Sequence, residues 1–204
     1  MEAPQIDFES YSKKYLRRLS ESFLSSQLKI IEKLADDLLV VWREQRQVFI
    51  CGNGGSAANA IHMANDFHYG VGAGMQTGAI PGLRVDALPA NTGILTCLAN
   101  DTGYQNIYSQ QLEVKARKED LLIVLSGSGN SENVVNALQT SNKIGLKSYA
   151  IVAFSGGMCK ELATHSIHFE INDMQIAEDT QLIIGHMCMQ WLNANAKETK
   201  THSN

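Results

Sequence analysis

Between Tyr11 and Arg46, apolar side chains fall at three- and four-residue intervals, as in Leu28, Ile31, Leu34, Leu38 and Val41, and neither proline nor glycine interrupts them. That spacing places them along one face of a helix and predicts an amphipathic helical region ahead of the first strand. Beyond it the period changes. Short apolar runs, Val48–Cys51, Leu83–Leu88, Leu121–Leu125, Tyr149–Phe154 and Ile167–Ile171, alternate with stretches of helical character at about 56–68, 130–144, 157–163 and 174–192. Residues 91–117 read as helix in two pieces, broken near Gly103. Strands separated by helices imply a parallel sheet covered on both faces. The expectation is therefore an α/β chain, a doubly wound parallel five-stranded sheet with N-terminal helices.

As a single domain over residues 1–204, it divides into a helical region at 1–46, an α/β core at 47–194 and a tail at 195–204. The glycine-rich segment Gly70–Gly82 is expected to be a mobile loop beside the first strand–helix unit, and the polar residues from Lys197 to Asn204 are expected to fray. Internal repeats and linkers are not visible in the pattern.

Composition narrows the function. With 204 residues, 44% of them apolar and 19% charged, the chain can bury a core of its own. Its formal net charge is −4, and its basic residues cluster no further than Arg17-Arg18, which argues against a nucleic-acid partner. Met1–Phe8 carries acids and a proline where a secretory signal needs basic residues and an apolar run, and no window approaches a membrane span. A cytoplasmic protein without membrane partners is expected. Cys51, Cys97, Cys159 and Cys188 lie far apart with no CxxC pair, and are read as small buried hydrophobes.

Two strand ends run directly into small polar loops that open helices. Val48–Cys51 leads into Gly52-Asn53-Gly54-Gly55-Ser56, and Leu121–Leu125 into Ser126-Gly127-Ser128-Gly129-Asn130-Ser131. Each is a candidate anion cradle, because glycines let the backbone approach a phosphate, a helix N-terminus presents free N–H groups, and serine hydroxyls add donors. The plainer alternative is a tight turn with a serine cap. Neither loop is a dinucleotide fingerprint or a P-loop, since the GxGxxG spacing and a following GK[ST] are both missing. His62 and Asp66 stand four residues apart on the helix opened by Ser56, so they share a face and suit a metal pair or an acid–base pair. The alternatives are that His62 bonds a neighbouring carbonyl and that His186 is a core histidine within Leu182–Trp191. His68, His165 and His168 have no partner at useful spacing.

Cys51–Ser56 with His62, Asn100-Asp101 with Gly103, Ser126–Ser131 and Ile184-Gly185-His186 resemble, in order and over nearly the whole chain, the phosphoheptose isomerase family of the sugar isomerase (SIS) fold. The resemblance implies an aldose–ketose isomerase of a sugar phosphate, sedoheptulose 7-phosphate, in heptose and lipopolysaccharide precursor synthesis. It implies a homotetramer that buries the N-terminal helices between subunits. Asn53, Gly54, Gly55, Ser56, Asp101, Ser126, Gly127, Ser128 and Ser131 would bind substrate. Asp66, Glu178 and His186 would be catalytic, and His62, Asp66, Glu178 and His186 would hold zinc, one ion per chain.

The family has a glutamate at the position of Asp66 and a glutamine at that of Glu178, so here one acid is a methylene shorter and the amide has become an acid. Glu178 and His186 are eight residues apart, about 12 Å of helical rise, so both reach one site only if the helix begins near Glu178 or bends. The family also places an arginine after the first catalytic helix, where this chain has Tyr69-Gly70, and an acid where it has Asn91. Arg84 is a candidate to restore the charge, and a surface or salt-bridged role is the equal alternative. The rival readings are an isomerase of another sugar phosphate and a non-catalytic SIS protein.

Overall fold

In the computed structural model, residues 7–72 and 81–195 are described; most of the expected Gly70–Gly82 loop and the C-terminal tail lie outside them. The N-terminal region forms two helices, α1 (Phe8–Glu21) and α2 (Ser25–Arg43). Serine chemistry accounts for the break. The hydroxyls of Ser20 and Ser22 bond back to the carbonyls of Arg17 and Leu19, competing with the helical ladder, and Leu24 is extended. The apolar stripe of α2 buries Ile31, Leu34, Ala35, Leu38, Val41 and Trp42, whereas α1 buries no side chain.

Five strands follow: β1 (Gln47–Gly52), β2 (Arg84–Ala87), β3 (Leu121–Ser126), β4 (Lys147–Val152) and β5 (His165–His168). All neighbours are parallel, in the order β2-β1-β3-β4-β5. Between them run α3 (Gly55–Asn65), α4 (Thr92–Thr102), α5 (Ser109–Lys115), α6 (Glu132–Ile144) and α7 (Gly157–Leu162), and α8 (Met174–Asn195) closes the order. Side chains alternate across each strand. Leu121, Ile123 and Leu125 of β3 join a core with α2, α3 and α8, while Leu122 and Val124 join a second core with α5, α6 and α7. Because α3 leaves β1 on one face and α6 leaves β3 on the other, the carboxyl ends of these adjacent strands border a crevice, the position where ligands settle in open parallel sheets.

Strands β4 and β5 each begin two residues before the apolar runs that announce them, at Lys147 and His165. An apolar run marks buried length, and the polar residues ahead of it still join the ladder. Gly103, at φ +93°, ends α4 as expected and starts a 3-10 turn over Tyr104–Asn106. Burial pushes the thiols of Cys159 and Cys188 up to about 12, and Cys51 is buried too. Cys97 departs from expectation: it is exposed on α4, its sulfur 3.5 Å from the Asp101 carboxylate. Among the described residues no helix is long and apolar enough to cross a membrane.

Leu38 is fully buried between α2 and the sheet. Leu38→Ala should lower the free energy of unfolding by about 2–5 kcal/mol, while Glu32→Ala on the outer face of α2 stays within about 0.5 kcal/mol. Urea titrations followed by circular dichroism compare them, and equal losses would refute the assigned face.

Candidate active site

Both glycine loops open their helices without a side-chain cap: Gly54 precedes α3 at φ +55°, and Ser131 precedes α6 in extended conformation with its hydroxyl uncommitted to the helix. The serine-cap alternative therefore does not describe them, and neither N-cap residue hydrogen-bonds the first N–H groups of its helix through a side chain. Two other serines shape the second loop. Ser126 Oγ accepts from Gly129 N at 3.1 Å and Ser128 Oγ from Asn130 N at 3.3 Å. Ser56 is buried, its Cβ 2.8 Å from where a side chain on Gly52 would begin, so it packs the turn tightly.

The loops are tied to one another. Asn53 Nδ2 donates to Asn133 Oδ1 and Asn133 Nδ2 to Asn53 Oδ1, each at 2.8 Å, and the Tyr104 hydroxyl donates to Asn53 Oδ1 at 2.9 Å. Tyr108 adds a hydrogen bond from its hydroxyl to the Gly52 carbonyl. Neither Asn133 nor Tyr104 is among the residues singled out from sequence, because their partner lies 80 and 51 positions away.

A second cluster stands on α3 and α8. His62 Nε2 lies 3.4 Å from Asp66 Oδ2, His186 Nε2 lies 3.4 Å from the same oxygen, and the two ring nitrogens are 3.1 Å apart. Both histidines keep close to half of their side-chain surface exposed, 48% and 42%. His186 is thus no core residue, and His62 turns to its neighbours in the cluster. At Asp66 the helix changes to a π turn, Asp66–Gly70, closed by Val71 N donating to the Asp66 carbonyl. Such turns are rare and gather at functional sites. Asn193 of α8 fixes the exit, donating to the Gly70 carbonyl at 2.7 Å and accepting from Gly72 N at 2.6 Å.

The three ligand atoms form a nearly equilateral triangle. Bonds of about 2.0–2.1 Å to a tetrahedral ion separate neighbouring donors by about 3.3–3.4 Å, so the edges of 3.1, 3.4 and 3.4 Å fit one face of such a site. His62, Asp66 and His186 also form a group able to hold a metal ion.

Glu178 takes a different place. On a continuous α8 it precedes His186 by two turns, and its carboxylate packs against Gly55 at the opening of α3, apart from the triangle. Asn59 holds that stretch of α8, donating to the Glu178 carbonyl at 2.9 Å and to Gln181 Oε1 at 3.1 Å. One turn earlier Met174 covers Gly127 in the second loop. The first turns of α8 therefore lie across both loops, with Met174 against the second and the Glu178 carboxyl group against the start of α3. Asp101 ends α4, exposed, accepting from Asn100 Nδ2 at 2.7 Å.

Arg84 does not restore a charge to this site. It opens β2 opposite Gln47, at the amino end of a parallel sheet whose loops are at the carboxyl end, and donates to the Gln45 carbonyl at 3.0 Å. Asn91 caps α4, accepting from Ile94 N at 3.1 Å. Of the other histidines, His168 does have a partner, the Phe154 carbonyl at 2.8 Å.

A family model described as the SIS domain matches residues 10–153. The phosphoheptose isomerase of Chlorobaculum parvum is 35% identical over 179 residues, covering 86% of this chain and 83% of that protein. That of Aneurinibacillus thermoaerophilus is 31% identical over 160 residues, 78% of each. The fold superposes on the phosphoheptose isomerase of Neisseria gonorrhoeae with a TM-score of 0.80 at 22% identity, over 92% of this chain and 97% of that one. The family model and these relatives show that the chain belongs to the phosphoheptose isomerase family of SIS-domain proteins.

Proposed function

We propose that this chain is a cytoplasmic aldose–ketose isomerase that acts on sedoheptulose 7-phosphate and feeds heptose precursors to lipopolysaccharide synthesis. The observation that carries the reading is the His62–Asp66–His186 triangle, set beside two uncapped helix N-termini at the switch point of the sheet. A non-catalytic SIS protein would have no use for such a cluster.

The phosphate sits at the β3–α6 loop, held by the Ser131 hydroxyl and the first N–H groups of α6. Because these donors are remote from the reacting carbons, their binding energy orients the sugar. Isomerisation through an enediol moves one proton between adjacent carbons and another between their oxygens, which calls for a carboxylate at the carbons and a donor at the oxygens. His62, Asp66 and His186 would hold zinc, which when bound supplies Lewis-acid polarisation of the sugar carbonyl. With Asp66 engaged there, Glu178 is the carboxylate left to move the proton between carbons, and His186 serves the oxygens if the cluster works without metal.

Assembly completes the reading. Phe8, Tyr11, Leu16, Leu24 and Leu28 stay exposed along α1 and the start of α2, and other copies of the chain cover them in a homotetramer.

Three measurements test these statements. Ser131→Ala should weaken sedoheptulose 7-phosphate binding about tenfold or more, the loss of a hydrogen bond to a charged group, with folding unchanged. The reading fails if wild type binds the dephosphorylated sugar equally well, or prefers another member of a sugar-phosphate panel. Metal analysis of untagged protein should find about one zinc per chain, and His62→Ala should lose metal and turnover together; turnover that survives a chelator would rule out the metal. Light scattering should report a tetramer, and a monomer at micromolar concentration would contradict the assembly.

A further inference from the structure

The side chain of Asn53 has no spare acceptor. Its Oδ1 receives Asn133 Nδ2 at 2.8 Å and the Tyr104 hydroxyl at 2.9 Å, and its Nδ2 donates to Asn133 Oδ1 at 2.8 Å. A primary amide has two lone pairs and two N–H groups, so one N–H remains. Taken alone, a reciprocal amide pair is indifferent to inversion: turn both amides over and the same two hydrogen bonds form again with oxygen and nitrogen exchanged. Asn133, 1% exposed, gives no further partner that would decide the matter.

Tyr104 decides it. A phenol donates well but accepts poorly, because its ring draws on the oxygen lone pair, so the hydroxyl holds the Asn53 oxygen toward itself and leaves the N–H at the opposite corner. Backbone geometry delivers Tyr104 to this place. Gly103 turns the chain at φ +93°, and Asn136 of α6 donates to the Gln105 carbonyl at 3.0 Å, pinning the 3-10 turn beside the second loop. The ring is 59% exposed, so packing does not explain its position.

We propose that Tyr104 is a positioning residue that sets the polarity of Asn53, so that the first loop presents the substrate with a donor and never an acceptor. That N–H meets an oxygen lone pair at the reacting end of the sugar, in the carbonyl or in the oxyanion formed from it. The proposal rests on the sugar-phosphate reading of the crevice, and assigns to Tyr104 a share in choosing which oxygen may lie there.

Tyr104→Phe removes one hydroxyl from an exposed ring and should fold as wild type. Three readouts are taken together. In ¹⁵N–¹H spectra the Asn53 side-chain amide, assigned by its loss in Asn53→Ala, should shift or broaden as the pair begins to invert. With sedoheptulose 7-phosphate, kcat/KM should fall about three- to tenfold, the effect of one net hydrogen bond. The inhibition constant of inorganic phosphate, which needs only the second loop, should not move. An unmoved amide resonance with unchanged kcat/KM overturns the proposal, as does a phosphate constant that weakens by the same factor. If wild type neither binds nor converts a sugar phosphate, the reading of the crevice fails instead, and the amide resonance still decides whether Tyr104 orients Asn53.

Discussion

Between β1 and β3 the chain leaves the sheet toward opposite faces, and beyond the last ladder pair, Gly52 with Leu125, a pair of side chains spans the crevice this opens. The reciprocal amides of Asn53 and Asn133 are that span. Asn133 is buried at the head of α6, where an unsatisfied amide costs about 1–3 kcal/mol out of a total stability of about 5–15 kcal/mol. The helix cannot drift from the first loop without incurring that cost. Two tyrosines from the turn after α4 reinforce the first loop from outside, so its shape is imposed by neighbours far away in sequence.

Helix α8 provides the second constraint. Its 22 residues span about 33 Å, and four side chains along it meet four different parts of the molecule: Met174 the second loop, Glu178 the start of α3, His186 the histidine cluster and Asn193 the π turn. The carboxylate and the cluster are therefore separate stations along one rigid rod. Glu178 lies near the glycines of the first loop because α8 begins there, two turns ahead of His186.

Much of this is legible in the sequence, for identifiable reasons. The loops announce themselves because apolar strand residues pass abruptly into glycine and serine, and the His62–Asp66 pair follows from helical spacing alone. Arg84 leaves two readings open because nearness to a strand says nothing about which end of the sheet it occupies; strand direction does, and it sends Arg84 to the far end. The π turn at Asp66 has no compositional mark, since it depends on how Asn193 receives the chain more than 120 residues later. Tyr104 is hidden for the same reason. A hydroxyl whose partner is an amide 51 residues upstream leaves no local pattern.

The second loop also interlocks with the start of α7. Cys159 N donates to the Gly129 carbonyl at 2.9 Å, Met158 N donates to Asn130 Oδ1 at 3.0 Å, and Gly129 packs directly on the Gly156 carbonyl. The loop is thus held in shape by the chain's own contacts. Where a flexible loop gives up about 0.5–1.5 kcal/mol for each side chain it must immobilise on binding, this one has already met that cost in folding. As the phosphate site proposed above, a loop of amides and hydroxyls held this way would discriminate by curvature, admitting a tetrahedral anion of the right radius, so that ligand choice at this end would be a matter of solid geometry more than of charge.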